Sequence, residues 1–322
     1  MSGSTIVRRI SRLTPGKSKA AIALAFAWMI LQPQFFSAAA YAQQDSKKTA
    51  VTQEVDLRPK WRKGQETRFD MSLDIVSEQN LNAVKGGDEP EPMKQVIKQK
   101  IGLLLRVKEV ASSGAATVDL VYESLKFDAD SALGKISFDS SQTKNDKDEF
   151  DGLLRSIIGL TMTLQLDENG NITNISSSGG GGMAGGMLQQ FTAADLVKGM
   201  FGPIMTIKAG NGRAKVGERW TNESSMSGQM GTTKIKNEYT LESAAGSMAR
   251  MNIQGTVSLD GGTTGMANIR EGSITGKATW NTERGMLESM NMTQRLMVDT
   301  HSTGEAAGTT RNTMTMSVTR KN

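Results

Sequence analysis

The chain has 322 residues, with 38 basic and 33 acidic side chains, a single histidine and no cysteine. The lack of cysteine excludes disulfides, a thiolate nucleophile and cysteine-based zinc sites. The lone histidine, His301, excludes a metal site built from several histidines. The length suffices for one large β domain or two small ones.

The first 42 residues have the three parts of a secretory signal peptide. Residues 1–19 contain five basic side chains and no acidic one, an apolar run follows from Ala20 to Leu31, and Ala40 and Ala42 have the A-x-A spacing of a cleavage site. We expect cleavage after Ala42 and export to the periplasm or the cell exterior. The alternative is an uncleaved anchor, which the apolar run disfavours because a spanning helix needs about 20 residues.

Removal of residues 1–42 changes the charge balance of the chain. The remainder has 33 basic and 33 acidic residues, so its formal net charge is zero and no nucleic-acid partner is expected. Four basic residues surround Trp61, namely Arg58, Lys60, Arg62 and Lys63. They allow a polyanion or membrane contact, but a solvent-facing segment before a strand is favoured because charge runs usually face water.

Apolar residues recur at every second position through most of the remaining chain. The segment 67–75 places Phe69, Met71, Leu73 and Ile75 on one face and polar residues on the other. The same pattern recurs within residues 101–107, 118–127, 162–172, 235–241, 251–259, 290–298 and 314–318. One apolar and one polar face are typical of antiparallel strands. We therefore predict a mainly β protein, with a curved antiparallel sheet or open half-barrels in two similar halves.

Two local irregularities are also predicted. The apolar register shifts between Tyr122 and Leu125, which indicates a β-bulge. Residues 167–170, Asp-Glu-Asn-Gly, have the composition of a hairpin turn. Asp167, Asn169 and Asn171 also have the spacing of calcium ligands in an EF-hand loop, but isoleucine stands where that loop requires glycine, so the hairpin is favoured.

Two short helices interrupt the strands. Residues 146–158 begin with acids and precede Gly159, as expected from the helix dipole and C-cap preferences. A second helix is predicted from Thr192 to Phe201, ending before Gly202 and Pro203. We divide the chain into a signal peptide (1–42), a flexible N-terminal segment (43–56), a first β half (57–178), a Gly-rich link with a short helix (179–211) and a second β half (212–322).

No motif predicts catalysis, a metal or a cofactor. Ser141 and Lys144 have the S-x-x-K spacing of some acylating enzymes without the elements that accompany it. The acids that open the first helix complement its N-terminus. His301 lies in a polar stretch that predicts an exposed loop. The protein is therefore predicted not to be an enzyme, with a hydrolase as a remote alternative.

Methionine is the most unusual component of the composition. Eighteen of the 20 methionines follow the signal peptide, and Met290, Met292, Met314 and Met316 share the apolar faces of the last two predicted strands. Methionine side chains adapt to irregular apolar shapes. These four residues are the candidate ligand-binding surface for a lipid or acyl chain. The alternative is that they form an ordinary core.

Three turn and strand-start motifs carry a resemblance to a known group of proteins. They are W-x-K-G-Q at residues 61–65, K-x-G-x-x-W at residues 215–220, and G-x-x-x-W-x-x-x-x-G-x-L at residues 276–287. With them the chain resembles a family of exported bacterial β-rich proteins that is a domain of unknown function. The resemblance implies the fold and no activity. The layout also resembles, by architecture alone, the open half-barrels of lipoprotein-localisation carriers.

The function expected from these features is a non-enzymatic envelope protein that binds an apolar small molecule or a lipoprotein. A structural or protein-interaction β domain without a ligand is the alternative. An integral membrane barrel is not expected, because the chain lacks the aromatic girdles of such barrels.

Overall fold

The computed structural model describes residues 39–40, 54–81, 92–132, 134–145, 149–178, 194–207, 209–228, 231–260, 267–302 and 305–321. Most of the predicted signal peptide, residues 43–53 of the predicted N-terminal segment and residues 179–193 of the Gly-rich link lie outside these ranges.

The described residues form fifteen strands and two helices. The strands are β1 (Ala39–Ala40), β2 (Glu54–Asp56), β3 (Glu66–Leu81), β4 (Met93–Val110), β5 (Ala116–Ser131), β6 (Gly134–Asp139), β7 (Thr161–Leu166), β8 (Ile172–Ser178), β9 (Arg213–Lys215), β10 (Arg219–Gly228), β11 (Gly231–Ala245), β12 (Met248–Asp260), β13 (Ala267–Asn281), β14 (Met286–Ser302) and β15 (Glu305–Arg320). The helices are α1 (Glu149–Arg155) and α2 (Ala194–Met205).

Thirteen strands form one curved antiparallel sheet, which confirms the predicted fold class. The strand order is β1-β10-β11-β12-β13-β14-β15-β3-β4-β5-β7-β8, and β6 pairs with β5. β2 and β9 form a separate two-stranded sheet. The two halves are joined where β15 pairs with β3, with Val318 opposite Met71. A single sheet therefore runs through both halves, a point that the sequence left open.

The apolar side chains line up in rows across this sheet, on the face called here the inner face. Directly opposed residues of an antiparallel sheet point to the same side. One row consists of Tyr239, Ile253, Gly276, Met292, Met316, Leu73, Gln99, Phe127 and Phe138. Most side chains of these rows are buried, as the period-two alternation predicts.

Both predicted irregularities are present. Tyr122 lies opposite Leu103 and Ser124 lies opposite Gly102, so Glu123 is the extra residue of a bulge. In the β7–β8 turn, Asp167 Oδ1 accepts hydrogen bonds from the backbone N–H groups of Asn169 (2.9 Å) and Asn171 (2.8 Å). Gly170 has φ of 80° there, a conformation that favours glycine.

The helices differ from the prediction at their ends. α1 ends at Arg155, and residues 156–159 form turns. The predicted stop of α2 before Gly202 is wrong, because the helix continues through Pro203 to Met205. Proline inside a helix costs about 3 kcal/mol. Ile204 and Met205 are almost completely buried, and burial of two such side chains offsets that cost at about 1.5–3 kcal/mol each.

In the part of the chain that the structure describes, neither helix is both long and apolar enough to span a membrane.

Candidate functional site

The four candidate methionines lie together on the inner face. Met292 is directly opposite Met316, Met290 is opposite Val318, and Met314 is opposite Gln294. Met290, Met292 and Met316 are only 1–2% exposed, and Met314 packs against them as a partly buried residue. The structure thus places Met290, Met292 and Met316 inside the apolar interior and Met314 partly buried beside them.

Helix α2 lies over the inner face and packs against β14 and β8. Its side chains Val197, Phe201, Ile204 and Met205 are buried. The Phe201 ring meets the Tyr122 ring edge-on, with centroids 6.1 Å apart. Burial raises the pKa of Tyr122, so this phenol stays neutral inside the interior. α2 therefore contributes apolar side chains to the interior between two distant strands of the sheet.

The interior is not purely apolar. Gln99, Asn237 and Gln294 are buried among the apolar rows of the inner face, at 7%, 3% and 1% exposure. Asn237 Oδ1 has no hydrogen-bond partner. Burial of amides in an apolar environment is unfavourable unless they are hydrogen-bonded. These amides are therefore polar groups inside an otherwise apolar interior.

Residues 54–65 form a strap across one end of the sheet. Leu57 N–H donates to Gly212 O (2.8 Å), Lys60 Nζ donates to Thr282 O (2.6 Å), and Gly64 N–H donates to Val107 O (2.8 Å). Trp61 is buried. Lys60 also contacts the β13–β14 turn, but its side chain is 41% exposed, and Arg58, Arg62 and Lys63 are exposed, as expected of a solvent-facing segment.

A pocket of about 350 Å³ lies where the strap meets the β7–β8 turn, the end of α2 and the start of β10. We call it the seam pocket. Its lining consists of Leu57, Arg58, Pro59, Asn169, Asn171, Thr206, Ile207, Ala209, Gly210, Gly212, Trp220, Thr221 and Asn222. The sequence analysis missed this site. Trp220 and Asn171 belong to motifs that were recognised only as turn and strand signals, and four separate chain segments form the pocket.

Glycines allow these segments to approach closely. A Cβ atom at Gly170 would lie 2.6 Å from Pro59 Cγ and 2.9 Å from Met205 O, so the β7–β8 turn touches both the strap and α2. A Cβ at Gly212 would collide with the Arg58 side chain. Both glycines also have positive φ, so the pocket wall depends on glycine at each position.

The charged residue among the pocket lining is Arg58, and its charge is already compensated. Its Nε and a terminal nitrogen donate to the two carboxylate oxygens of Asp56 at 2.9 and 3.0 Å. These side-chain hydrogen bonds are the main reason why the pKa of Asp56 is lowered, against the opposing effect of burial. The seam pocket therefore has polar walls with little net charge.

The other polar residues singled out in the sequence have structural roles. Ser141 Oγ donates to Asp139 (2.7 Å), and Asp151 accepts from Arg155 Nε (2.7 Å). The backbone of His301 lies in β14 opposite Ala306, so the prediction of a loop there is wrong, because β14 and β15 continue pairing to Ser302 and Glu305. The described residues contain no cluster of His, Cys, Asp or Glu that could hold a metal ion.

The fold and interior define a curved, antiparallel β-sheet protein with an apolar inner face and a helix that packs against two of its strands. The chain belongs to the Family of unknown function (DUF6263), whose model matches residues 113–199 and 177–287, together more than half of the chain. This confirms the predicted membership in a β-rich family of unknown function. No curated protein matches the chain.

Three solved structures resemble parts of the fold weakly. A lipovitellin structure on lipid–protein interactions has 11% identity and a TM-score of 0.46, covers 82% of this chain, and is matched over 26% of its own length. The chain thus spans about a quarter of that protein. An outer membrane channel from Pseudomonas putida F1 has 11% identity, a TM-score of 0.24, and coverage of 82% of this chain and 98% of its own. DynF from Micromonospora chersina has 7% identity and a TM-score of 0.18, and the match covers 87% of this chain and 92% of DynF.

Proposed function

We propose that the protein is an exported, non-enzymatic binding protein that holds an apolar ligand against the inner face of its sheet. The ligand class is a lipid-like small molecule or the acyl chain of a lipoprotein. The observation that carries the proposal is the continuous apolar inner face, which runs through both halves and has helix α2 over it between β14 and β8.

The small size of the helix that packs on this face favours ligand binding over a purely structural core. A large sheet usually buries its apolar face against a full second layer of secondary structure. Here α2 has 12 residues and includes Pro203, which cannot donate a helical hydrogen bond. Displacement of α2 would open the methionine face while the hydrogen bonds of the sheet remain intact.

The methionine side chains suit such a change of partner. Unbranched, polarisable thioethers repack against differently shaped apolar surfaces at low cost. Met290, Met292, Met314 and Met316 would repack against the ligand. The buried amides of Gln99, Asn237 and Gln294 would meet its polar linkage.

Binding of a fluorescent fatty acid tests this proposal. The wild-type protein should bind the probe with increased fluorescence, and Phe201→Ala should bind it about tenfold more tightly or better. The reason is that apparent affinity scales with the population of the open state, and loss of the Phe201 contacts weakens the docking of α2.

The matched control is Asn291→Ala on the exposed side of β14, which should leave probe affinity unchanged. If neither wild type nor Phe201→Ala binds the probe while both remain folded by circular dichroism, the inner face is only a core. The structural or protein-interaction alternative would then hold.

Export is the second part of the proposal and has its own test. N-terminal sequencing of protein from the envelope fraction should give a chain that begins at Gln43, because the charge asymmetry and the Ala40/Ala42 pair define the cleavage site. Cleavage there would also remove β1, which pairs with Asn222 and Glu223 of β10. A mature form that retains Met1 or Ser2 in the cytosol would refute the export prediction.

A further inference from the structure

Two residues that line the seam pocket each have a buried polar side-chain atom without a hydrogen-bond partner. These atoms are Trp220 Nε1, a donor, and Asn171 Oδ1, an acceptor. Trp220 as a whole is only 7% exposed. An unpaired polar atom cut off from water is unfavourable and is rare in folded proteins. A ligand that supplies one acceptor and one donor would satisfy both atoms.

Both atoms have almost no accessible surface in this structure, so a ligand reaches them only after a small shift of the pocket wall. Asn171 Nδ2 donates to Asp167 Oδ2 (2.6 Å), and the Asn171 backbone N–H donates to Asp167 Oδ1 (2.8 Å). A carboxylate accepts only from the amide nitrogen, so the amide oxygen is the atom left for a ligand. The indole of Trp220 stacks on Tyr239, with centroids 5.7 Å apart and planes 7° apart.

Tyr239 supports this wall of the pocket in a neutral form. Burial raises the pKa of Tyr239 to about 12, and a side-chain hydrogen bond with Asn222 acts in the opposite direction. Asn222 itself lines the pocket. The wall formed by β10 and β11 is thus uncharged near neutral pH and is held by stacking and hydrogen bonding before any ligand enters.

The remaining lining indicates the chemistry of the ligand. Arg58 is paired with Asp56, and the other polar lining side chains are amides and hydroxyls, namely Asn169, Asn171, Asn222, Thr206 and Thr221. Leu57, Ile207 and the Trp220 indole add apolar surface. Such walls match a ring that has polar edges and apolar C–H faces. The volume lies at the small end of the usual range for small-molecule pockets.

We propose that the seam pocket is a binding site for a small, neutral, sugar-like molecule, whose hydroxyl or acetamido groups pair with Trp220 Nε1 and Asn171 Oδ1. Trp220 lies opposite Tyr239, the first residue of the inner-face row that contains Met292, so the seam pocket borders one end of the inner face.

The indole signals of the tryptophans test the proposal directly. The protein beginning at Gln43 contains Trp61, Trp220 and Trp280, and the indole nitrogens of all three lack hydrogen-bond partners, but Trp61 and Trp280 are not part of the pocket lining. Titration with glucose, N-acetylglucosamine and chitobiose should shift the Trp220 indole ¹H–¹⁵N signal and leave the Trp280 signal in place. Trp220→Phe, which keeps an aromatic ring, assigns the signal by its disappearance.

Affinities measured by calorimetry supply the second readout. At least one of these sugars should bind with a Kd of about 1 mM or tighter. Trp220→Phe and Asn171→Ser should each weaken it about five- to tenfold, the usual loss for one neutral hydrogen bond. Trp280→Phe, the matched control outside the pocket, should bind as the wild type does. Fatty-acid binding should be the same in the wild type and in Trp220→Phe, so failure at one site is distinguishable from failure at the other.

Three results would overturn the proposal. The first is that no sugar shifts the Trp220 signal at about 10 mM, well above the expected Kd. The second is that folded Trp220→Phe binds a sugar as tightly as the wild type does. The third is that glucuronate binds more tightly than glucose, because this would show that Arg58 recognises an anion.

Discussion

Replacement of Met292 by aspartate is expected to destabilise the protein by several kcal/mol. Met292 is 1% exposed and lies between Gly276 of β13 and Met316 of β15 on the inner face. An unpaired buried carboxylate costs several kcal/mol after relaxation, which is comparable to the roughly 5–15 kcal/mol stability of a whole domain. Urea denaturation followed by circular dichroism would measure the loss.

The control is Asn291→Asp, one residue away on the exposed face of the same strand. It introduces the same carboxylate and should change the free energy of unfolding by only about 0.5 kcal/mol. Because a one-residue slip inverts the two faces of a strand, equal effects or a reversed order would contradict the register of β14.

Truncation of the same methionines distinguishes a tightly packed interior from one that is open to ligand. In a packed core, Met290→Ala or Met292→Ala should each cost about 2–5 kcal/mol. A smaller loss, together with fatty-acid binding, is expected if the methionine face readily exchanges its contacts. A large loss without any probe binding would leave only the structural function.

Gly276→Ala is expected to destabilise the protein by about 1–3 kcal/mol through overpacking. Gly276 lies on the inner face of β13, and a Cβ there would lie 2.5 Å from Asn291 O and 2.8 Å from Met292 Cγ. The first of these contacts is with backbone and cannot be relieved by a rotamer change. Gly255 of β12 is similarly close to Lys236 O, at 2.7 Å. These glycines allow neighbouring strands to curve tightly around the interior.

The same substitution at Gly152 is the matched control. Gly152 lies inside α1, and a Cβ there would meet no atom within 4 Å. Alanine should therefore stabilise the protein by about 0.5–1 kcal/mol through the lower backbone entropy of the unfolded chain and better helix propensity. Thermal unfolding of both variants gives the comparison. Equal effects at Gly152 and Gly276 would contradict the close approach of β13 and β14.

Local patterns in the sequence predicted many of the long strands of this fold. Alternation of apolar and polar residues defines the strands and their buried face, since a strand exposes successive side chains to opposite sides. The shift between Tyr122 and Leu125 predicts the bulge at Glu123, and residues 167–170 predict the β7–β8 turn. Both depend on interactions between neighbours in the chain, which a sequence displays directly.

The end of α2 shows where local preference fails. Gly202 and Pro203 predict a helix stop, yet burial of Ile204 and Met205 extends the helix by a turn. That burial comes from strands distant in sequence, so no local pattern reports it. No local pattern predicts the hydrogen bond of Lys60 to Thr282 either, because the two residues are 222 positions apart in the chain.

The sequence by itself determined that this is a β protein with one apolar face, and that Met290, Met292, Met314 and Met316 share that face, because period-two patterning records which side of each strand is buried. Only the tertiary structure decided that β15 pairs with β3 to make one sheet, and that α2 packs against β14 and β8. Only the tertiary structure brought Trp220, Asn171 and Arg58 into one pocket. The reason is physical: strand pairing order and pocket walls arise from contacts between segments that are far apart along the chain, and these contacts leave no periodic signal within any one segment.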